Sequence, residues 1–431
     1  MRIAVIGMGK IGLPLAAQYA DRGHQVVGVD VNADVVALIN AGQEPFPGEA
    51  HLAEHLARLV PTGALVATTD YAAAIPEADA VVVVVPLLVD GEGRPNFVAM
   101  DSATSDIGRH LTSDTLVIYE TTLPVGTTRT RWLPALETGS GLVQGRDFHL
   151  VYSPERVLTG RVFADLRKYP KLIGALGEEG ARVARDFYES VLEFDERSDL
   201  ARANGVWDLG APEAAELAKL AETTYRDVNI GLANQFAVFA ESAGIDIHRV
   251  IEAANSQPYS HIHRPGIAVG GHCIPVYPRL YLSTDPDASI VRTAREFNAT
   301  MPEHTIGLLA QAYGDLTDAR VVVLGAAYRG GVKETAVSGV FDTVDALIKR
   351  GAVPLVQDPL FSADELRKLG LDPWDGQSPV DAVVVQADHR AYADLDSAGF
   401  PGVRVVVDGR RVLDPSRWSG TTFIQLGVST T

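Results

Sequence analysis

The sequence predicts an α/β protein: two domains built on parallel sheets and joined by a long central helix. Three observations lead there. At both ends of the chain, short runs rich in β-branched residues alternate with stretches of helical spacing, the pattern of strands covered by helices. Between them, residues 214–243 hold no proline and a single interior glycine, Gly231. With 431 residues, the chain is also too long for one ordinary core.

In the first block, residues 3–6, 26–30, 80–85, 116–119 and 148–152 read as strands, and residues 13–22 and 35–41 as helices. In the middle, Leu217, Leu220, Thr224, Val228, Leu232, Phe236 and Phe239 recur at steps of three and four and predict one buried stripe. Pro212 suits the first turn of that helix and Gly244 its end. At ~1.5 Å per residue such a helix spans ~45 Å, a length suited to joining domains or building a dimer interface. In the last block, residues 320–325, 353–358, 381–386 and 403–408 read as strands, with helices near 341–349 and 363–369. Residues 321–325 echo residues 5–7, which suggests a second domain of related architecture.

The formal charge of −18 opposes nucleic acid as a partner, although an acidic chain can still hold a basic nucleotide pocket. A single cysteine fits a reducing compartment. The opening residues 1–7 read as a strand rather than a signal peptide, and the apolar run 80–89 contains Pro86 and is far short of the ~20 residues of a membrane span. The expectation is a soluble, cytoplasmic protein.

Gly7-Met8-Gly9-Lys10-Ile11-Gly12 follows the first strand and opens a helix. The first glycine permits a tight turn, the second lets backbone approach a pyrophosphate, and the third lets helix pack on strand. Free N–H groups at the helix start favour phosphate. Asp30 ends the next strand, where a carboxylate accepts hydrogen bonds from a ribose and repels a 2′-phosphate, so NAD is preferred over NADP. The motif in this context predicts a Rossmann-like dinucleotide domain.

Cys273 lies in Val269-Gly270-Gly271-His272-Cys273-Ile274-Pro275, where paired glycines leave it unscreened. It reads as a nucleophile, with an inert thiol as the alternative; His272 reads as a loop residue or a base. Lys219 falls between stripe residues, hence off the predicted buried face, with Thr223 one turn on. It is either an oxyanion-stabilising ammonium or a solvated lysine. Thr121-Thr122-Leu123-Pro124-Val125-Gly126 and Ser153-Pro154-Glu155-Arg156 each follow a strand, where α/β sheets meet ligands. Glu155 reads as a base or as a surface carboxylate paired with Arg156. His261, His263 and His272 lack the companion spacing of a zinc site, so no metal is expected.

Residues 7–12, 122–126, 153–158, 216–222, 227–234 and 270–275 together resemble the UDP-glucose/GDP-mannose dehydrogenase family over essentially the whole chain, most closely its UDP-N-acetylmannosamine dehydrogenase branch. The resemblance implies an NAD-binding domain at 1–205, a central helical domain at 206–300 that dimerises and carries the lysine and cysteine, and a nucleotide-sugar-binding domain at 301–431. It implies oxidation of a sugar C6 alcohol to a carboxylate with two NAD, in polysaccharide biosynthesis. Cys273 would be the nucleophile and Lys219 the oxyanion stabiliser, while Thr122 and Glu155 would position or activate water, with Thr223 beside them. Cofactor contacts would come from Gly7, Gly9, Lys10, Ile11, Gly12 and Asp30, joined by Pro86, Thr122, Glu155 and Arg329. Substrate contacts would come from Glu155, Arg156, Lys219 and Arg264, and from Gly270, Gly271, Tyr328 and Arg329.

The sequence departs from the family pattern at four places. Thr223 stands where asparagine is usual and Tyr277 where aspartate is usual. Ala336 replaces an arginine in the C-terminal signature Tyr328-Arg329-Gly330-Gly331-Val332-Lys333-Glu334-Thr335-Ala336, and Tyr259 occupies the place of an arginine that Arg264 would replace. Two other readings therefore stand beside the main one: a two-electron dehydrogenase on the same scaffold, and a nucleotide-sugar-binding protein without chemistry.

Overall fold

In the computed structural model, which describes residues 1–90 and 93–429, the chain divides into two units, Met1–Ala221 and Glu222–Thr431. The first is built on strands β1 (Arg2–Ile6), β2 (Gln25–Val29), β3 (Leu65–Thr68), β4 (Ala80–Val83), β5 (Leu116–Tyr119), β6 (His149–Tyr152), β7 (Lys171–Ala175) and β8 (Val206–Asp208). They form one sheet in the order β8-β7-β6-β5-β4-β1-β2-β3. From β3 to β6 every pairing is parallel. Strands β4 and β5 are buried along their whole length, which is why they read as unbroken apolar runs rather than as alternation.

Strand β7 reverses the direction: it pairs antiparallel with β6, with Tyr152 opposite Gly174, and β8 then runs parallel to β7. The five strands expected in this block are present within one or two residues of their predicted ends. Strands β3, β7 and β8 were not expected. Strand β7 carries a lysine and a glycine within five buried residues, which breaks the β-branched signal.

The long helix runs Pro212–Ala243, with Gly244 at φ +73° ending it as predicted. Its buried face is not the predicted one. Leu217, Leu232, Phe236 and Phe239 are exposed, while Glu216, Lys219, Thr223, Asp227, Asn234 and Ala237 are buried with Leu220 and Thr224. Close packing sets this choice in the second unit: a Cβ on Gly231 would come within 3.1–3.2 Å of Ala294 in the helix Ser289–Tyr313, so only small and polar side chains fit between the two helices. Asp227 there accepts from Arg295 Nη1 at 2.8 Å and Asn298 Nδ2 at 2.9 Å. Asn234 donates to Asn298 at 2.8 Å.

The second unit holds a five-stranded, fully parallel sheet of β9 (Arg320–Leu324), β10 (Val353–Gln357), β11 (Ala382–Val385), β12 (Val405–Asp408) and β13 (Thr422–Gln425), in the order β10-β9-β11-β12-β13. Its first four strands match expectation, and β13 is the addition. The expected echo is a shared device. In both units a glycine turn ends the first strand, and the acid after the second strand holds it. Met8 N–H donates to Asp30 at 2.9 Å, and Ala326 and Ala327 N–H donate to Asp358 at 2.8 and 3.0 Å. No helix of the described residues is long and apolar enough to cross a membrane.

Candidate active site

The glycine turn of the first unit has the shape that dinucleotide binding needs. Gly7 adopts φ +95°, and a Cβ there would come 3.1 Å from the backbone of Val84 and Val85. A Cβ on Gly12 would lie 1.8 Å from the Gly7 carbonyl oxygen, so the helix Gly12–Asp21 seats directly on the turn. Around Gly9 there is open space: no atom lies within 4 Å of an added Cβ. Ile11, at the start of that helix, provides no side-chain cap, so the first N–H groups point outward for a phosphate. Lys10 is exposed and Ile11 half-buried beside them. Asp30 accepts from Met8 N–H and Asn32 N–H, one on each oxygen, and each oxygen retains a lone pair for a ribose hydroxyl. Pro86 is exposed on the loop after β4, whose Val85 carbonyl accepts from Thr121 Oγ1 at 2.6 Å.

Thr122 follows β5 and is buried. Its loop is held by Glu216 of the long helix, which accepts from Gly126 N–H at 2.5 Å, Thr128 N–H at 2.9 Å and Thr128 Oγ1 at 2.7 Å. Glu155 follows β6 and is largely buried, its side chain 11% exposed, rather than a surface carboxylate. It accepts the backbone N–H of Arg156 at 2.6 Å and the Lys171 ammonium at 2.8 Å. The Arg156 guanidinium lies over the Tyr169 ring and donates to the Pro170 carbonyl. Lys171 also reaches Glu120 at 2.9 Å, so one ammonium serves two carboxylates. Burial pushes the Glu120 carboxyl up to about 7 against the pull of Lys171. The same burial opposes ionisation of Glu155, but Lys171 outweighs it and holds that carboxyl below its ordinary value. Lys219 is buried, contrary to the solvated position that the predicted stripe gave it.

In the second unit, Cys273 is half-buried in the turn that enters the helix Tyr277–Thr284, and its carbonyl accepts from the N–H groups of Val276 and Tyr277. The glycines before it are required by Tyr328: a Cβ on Gly270 would come 2.7 Å from the Tyr328 Cβ, and one on Gly271, at φ +97°, 3.1 Å from its ring. Gly271 N–H donates to the Ala336 carbonyl at 2.9 Å, which ties the cysteine turn to the C-terminal signature. His272 lies 3.6 Å from Glu334. Tyr259 is 93% exposed.

Beside this turn lies a cleft of ≈ 150 Å³ whose walls include Gly270, Ile274 and Tyr328 and four guanidinium groups, those of Arg226, Arg264, Arg329 and Arg410. Such a concentration of planar cations in an acidic protein suits a diphosphate. Arg410 is fixed by donating to the carbonyls of Gln386 and Ala268 at 2.8 and 3.0 Å. The loop bearing Arg329 is held by Gly330 N–H donating to Asp388 at 2.7 Å. Among the described residues no group of three His, Cys, Asp or Glu side chains is placed to hold a metal ion.

The expected residues thus divide. Thr122, Glu155, Arg156 and Lys219 belong to the first unit, with the glycine turn; Thr223, Arg264, Gly270, Gly271, Cys273, Tyr328 and Arg329 belong to the second. Five further residues escaped sequence reasoning: Glu120, Lys171, Glu216, Arg226 and Arg410. Two of them carried a signal: Glu120 stands at the end of a strand just before Thr121 and Thr122, and Glu216 opens the stretch 216–222.

Known proteins match the chain along its length. Residues 1–192 match the NAD binding domain of the UDP-glucose/GDP-mannose dehydrogenase family, residues 213–300 its central domain and residues 322–415 its UDP binding domain. A UDP-N-acetyl-D-mannosamine dehydrogenase of Pyrococcus horikoshii is 33% identical over 425 residues, 96% of each chain. An NDP-N-acetyl-D-galactosaminuronic acid dehydrogenase of Ralstonia nicotianae is 30% identical over 96% of this chain and 97% of its own. The solved structure of the UDP-D-ManNAc dehydrogenase from Pyrococcus horikoshii superposes with a TM-score of 0.89 at 32% identity, covering all of both chains. With its dinucleotide turn, its cation-lined cleft and these matches along its length, the chain belongs to the UDP-glucose/GDP-mannose dehydrogenase family and is an NAD-dependent nucleotide-sugar dehydrogenase.

Proposed function

We propose that this dehydrogenase oxidises the C6 alcohol of a nucleotide sugar, of the UDP-N-acetylmannosamine or UDP-glucose type, to the uronate, removing four electrons with Cys273 as covalent nucleophile. The observation that carries the reading is the adjacency of thiol and cleft: Gly270 and Ile274, on either side of Cys273 in the same turn, line the pocket of four guanidiniums. A diphosphate held there brings its sugar to the thiol.

NAD, when bound, supplies the hydride acceptor for both oxidations. The C6 alcohol gives up a hydride and its hydroxyl proton to become the aldehyde. The Cys273 thiolate adds to the aldehyde carbon, and the resulting oxyanion takes a proton to form a thiohemiacetal. Loss of a second hydride and of that proton leaves a thioester. Water adds, the C–S bond breaks, and the uronate and free thiol result. Lys219 stabilises the oxyanions from its buried position, Thr223 lies one turn on, and Thr122 and Glu155 position and activate the water. Tyr277 supplies no carboxylate, so the proton exchanges fall to Lys219 and Glu155.

In this reading residues 1–205 serve the cofactor, residues 206–300 carry the lysine, the cysteine and dimer formation, and residues 301–431 hold the nucleotide sugar. The partner in the dimer is a second copy of this chain, seated on the exposed Leu232, Phe236 and Phe239 of the long helix. The lone cysteine is consistent with work in a reducing, cytoplasmic setting. The test is to offer UDP-N-acetylmannosamine, UDP-glucose, UDP-N-acetylglucosamine and GDP-mannose and count NADH per sugar. Two NADH and a uronate are expected, and Cys273→Ser abolishes acid formation. One NADH with a released aldehyde or ketone overturns the four-electron reading.

A further inference from the structure

Glu120 and Lys171, buried behind Glu155, have no part in the chemistry above. Lys171 Nζ lies 2.9 Å from Glu120 Oε2 and 2.8 Å from Glu155 Oε2. Glu120 is fully enclosed, the Lys171 side chain is 4% exposed, and Glu155 at 11% is the member with an outward edge. The other Glu120 oxygen accepts from Tyr188 Oη at 2.6 Å and faces Tyr19 Oη at 3.4 Å. Tyr188 also lays its ring 4.9 Å from the ammonium. The other Glu155 oxygen accepts the backbone N–H of Arg156. Two carboxylates therefore share one cation in a dry site, and the phenol groups beside them add no charge near neutral pH.

The strand reversal creates this arrangement. Had β7 run parallel to β6, Lys171 at its start would lie at the far end of the sheet from Glu155. Running antiparallel, it begins where β5 and β6 end, between the residues that follow them.

We propose that Glu120 and Lys171 are positioning residues that set the basicity of Glu155: when Glu120 holds a proton, Lys171 serves Glu155 alone and makes it a weak base, and when Glu120 loses it, the shared ammonium leaves Glu155 a stronger one. This deepens the reading of Glu155 as the residue that activates water. The proton count balances, since Glu120 exchanges its proton with solvent and Glu155 takes one from the attacking water. Burial places the Glu120 titration in the neutral range, up to about 7, so the control operates at working pH.

The experiment uses the full-length enzyme with saturating NAD and nucleotide sugar. Wild type is expected to gain at least about threefold in turnover as pH rises through the neutral range. Glu120→Gln, which mimics the protonated acid, holds the low-pH rate throughout, and Glu120→Asp restores the rise. In parallel, carboxyl-carbon NMR of glutamate-labelled protein without substrate follows Glu155, assigned by its disappearance in Glu155→Gln. Its signal moves with the Glu120 titration in wild type and stays still in Glu120→Gln. A Glu155 signal that behaves alike in the two proteins overturns the inference. So does an unchanged pH profile in Glu120→Gln when Glu155→Gln is inactive. Wild-type turnover in Glu155→Gln refutes the water-activating role of Glu155 and, with it, the kinetic consequence, while the NMR arm still decides the coupling.

Discussion

Replacing Glu216 by alanine tests whether the long helix holds the Thr122 loop. In the native protein the Glu216 carboxylate is fully buried and accepts two backbone N–H groups, from Gly126 and Thr128, and the Thr128 hydroxyl. Alanine leaves the buried Thr128 N–H and the part-buried Gly126 N–H without an acceptor, at about 1–3 kcal/mol each. Part of this is offset, because burial pushes the Glu216 carboxyl up and the three hydrogen bonds only partly compensate. A net loss of ~3 kcal/mol follows, and at ~2–4 °C per kcal/mol for a unit of this size the melting temperature falls by ~6–12 °C. Glutamine keeps one acceptor oxygen but turns an N–H₂ toward the other donor, so it loses roughly half as much.

A pH dependence goes with this. The native carboxyl has a higher pKa than in the unfolded chain, so the native state binds the proton more tightly, and this group's contribution to stability falls as pH rises through the window between the two values. Glu216→Gln removes that slope. Scanning calorimetry across pH reads both effects, with initial rates following the displaced Thr122. An alanine variant that melts within about one degree of wild type refutes the argument.

The two glycines of the cofactor turn separate binding from folding. Gly9→Ala meets no neighbour, so it folds with an unchanged melting temperature but weakens NAD binding at least about tenfold by fluorescence titration; Gly12→Ala forces a Cβ onto the Gly7 carbonyl and lowers the melting temperature itself. Phe236→Asp and Phe239→Asp place charge on the exposed helix face and are expected to convert the proposed dimer to monomers in sedimentation velocity. An unchanged sedimentation coefficient removes that face from the interface.

Much of the cofactor side was determined by the sequence alone. A dinucleotide turn is a local object: three glycines and an acid at the right spacing dictate its backbone, and β-branched runs announce the buried parallel strands around it. The cysteine turn was equally legible, although its glycines serve the packing of Tyr328 as well as the exposure of the thiol. The tertiary structure decided what depends on direction and face. Hydrophobic spacing marks the apolar side of a helix, not the side that its own chain covers, and close packing at Gly231 turned the small and polar side chains of the long helix inward, leaving Phe236 and Phe239 outside. Likewise, nothing local marks a strand as antiparallel. Only the reversal of β7, fixed by its pairing with β6, carries Lys171 to Glu120 and Glu155, some residues of sequence away but within one hydrogen bond in the folded chain.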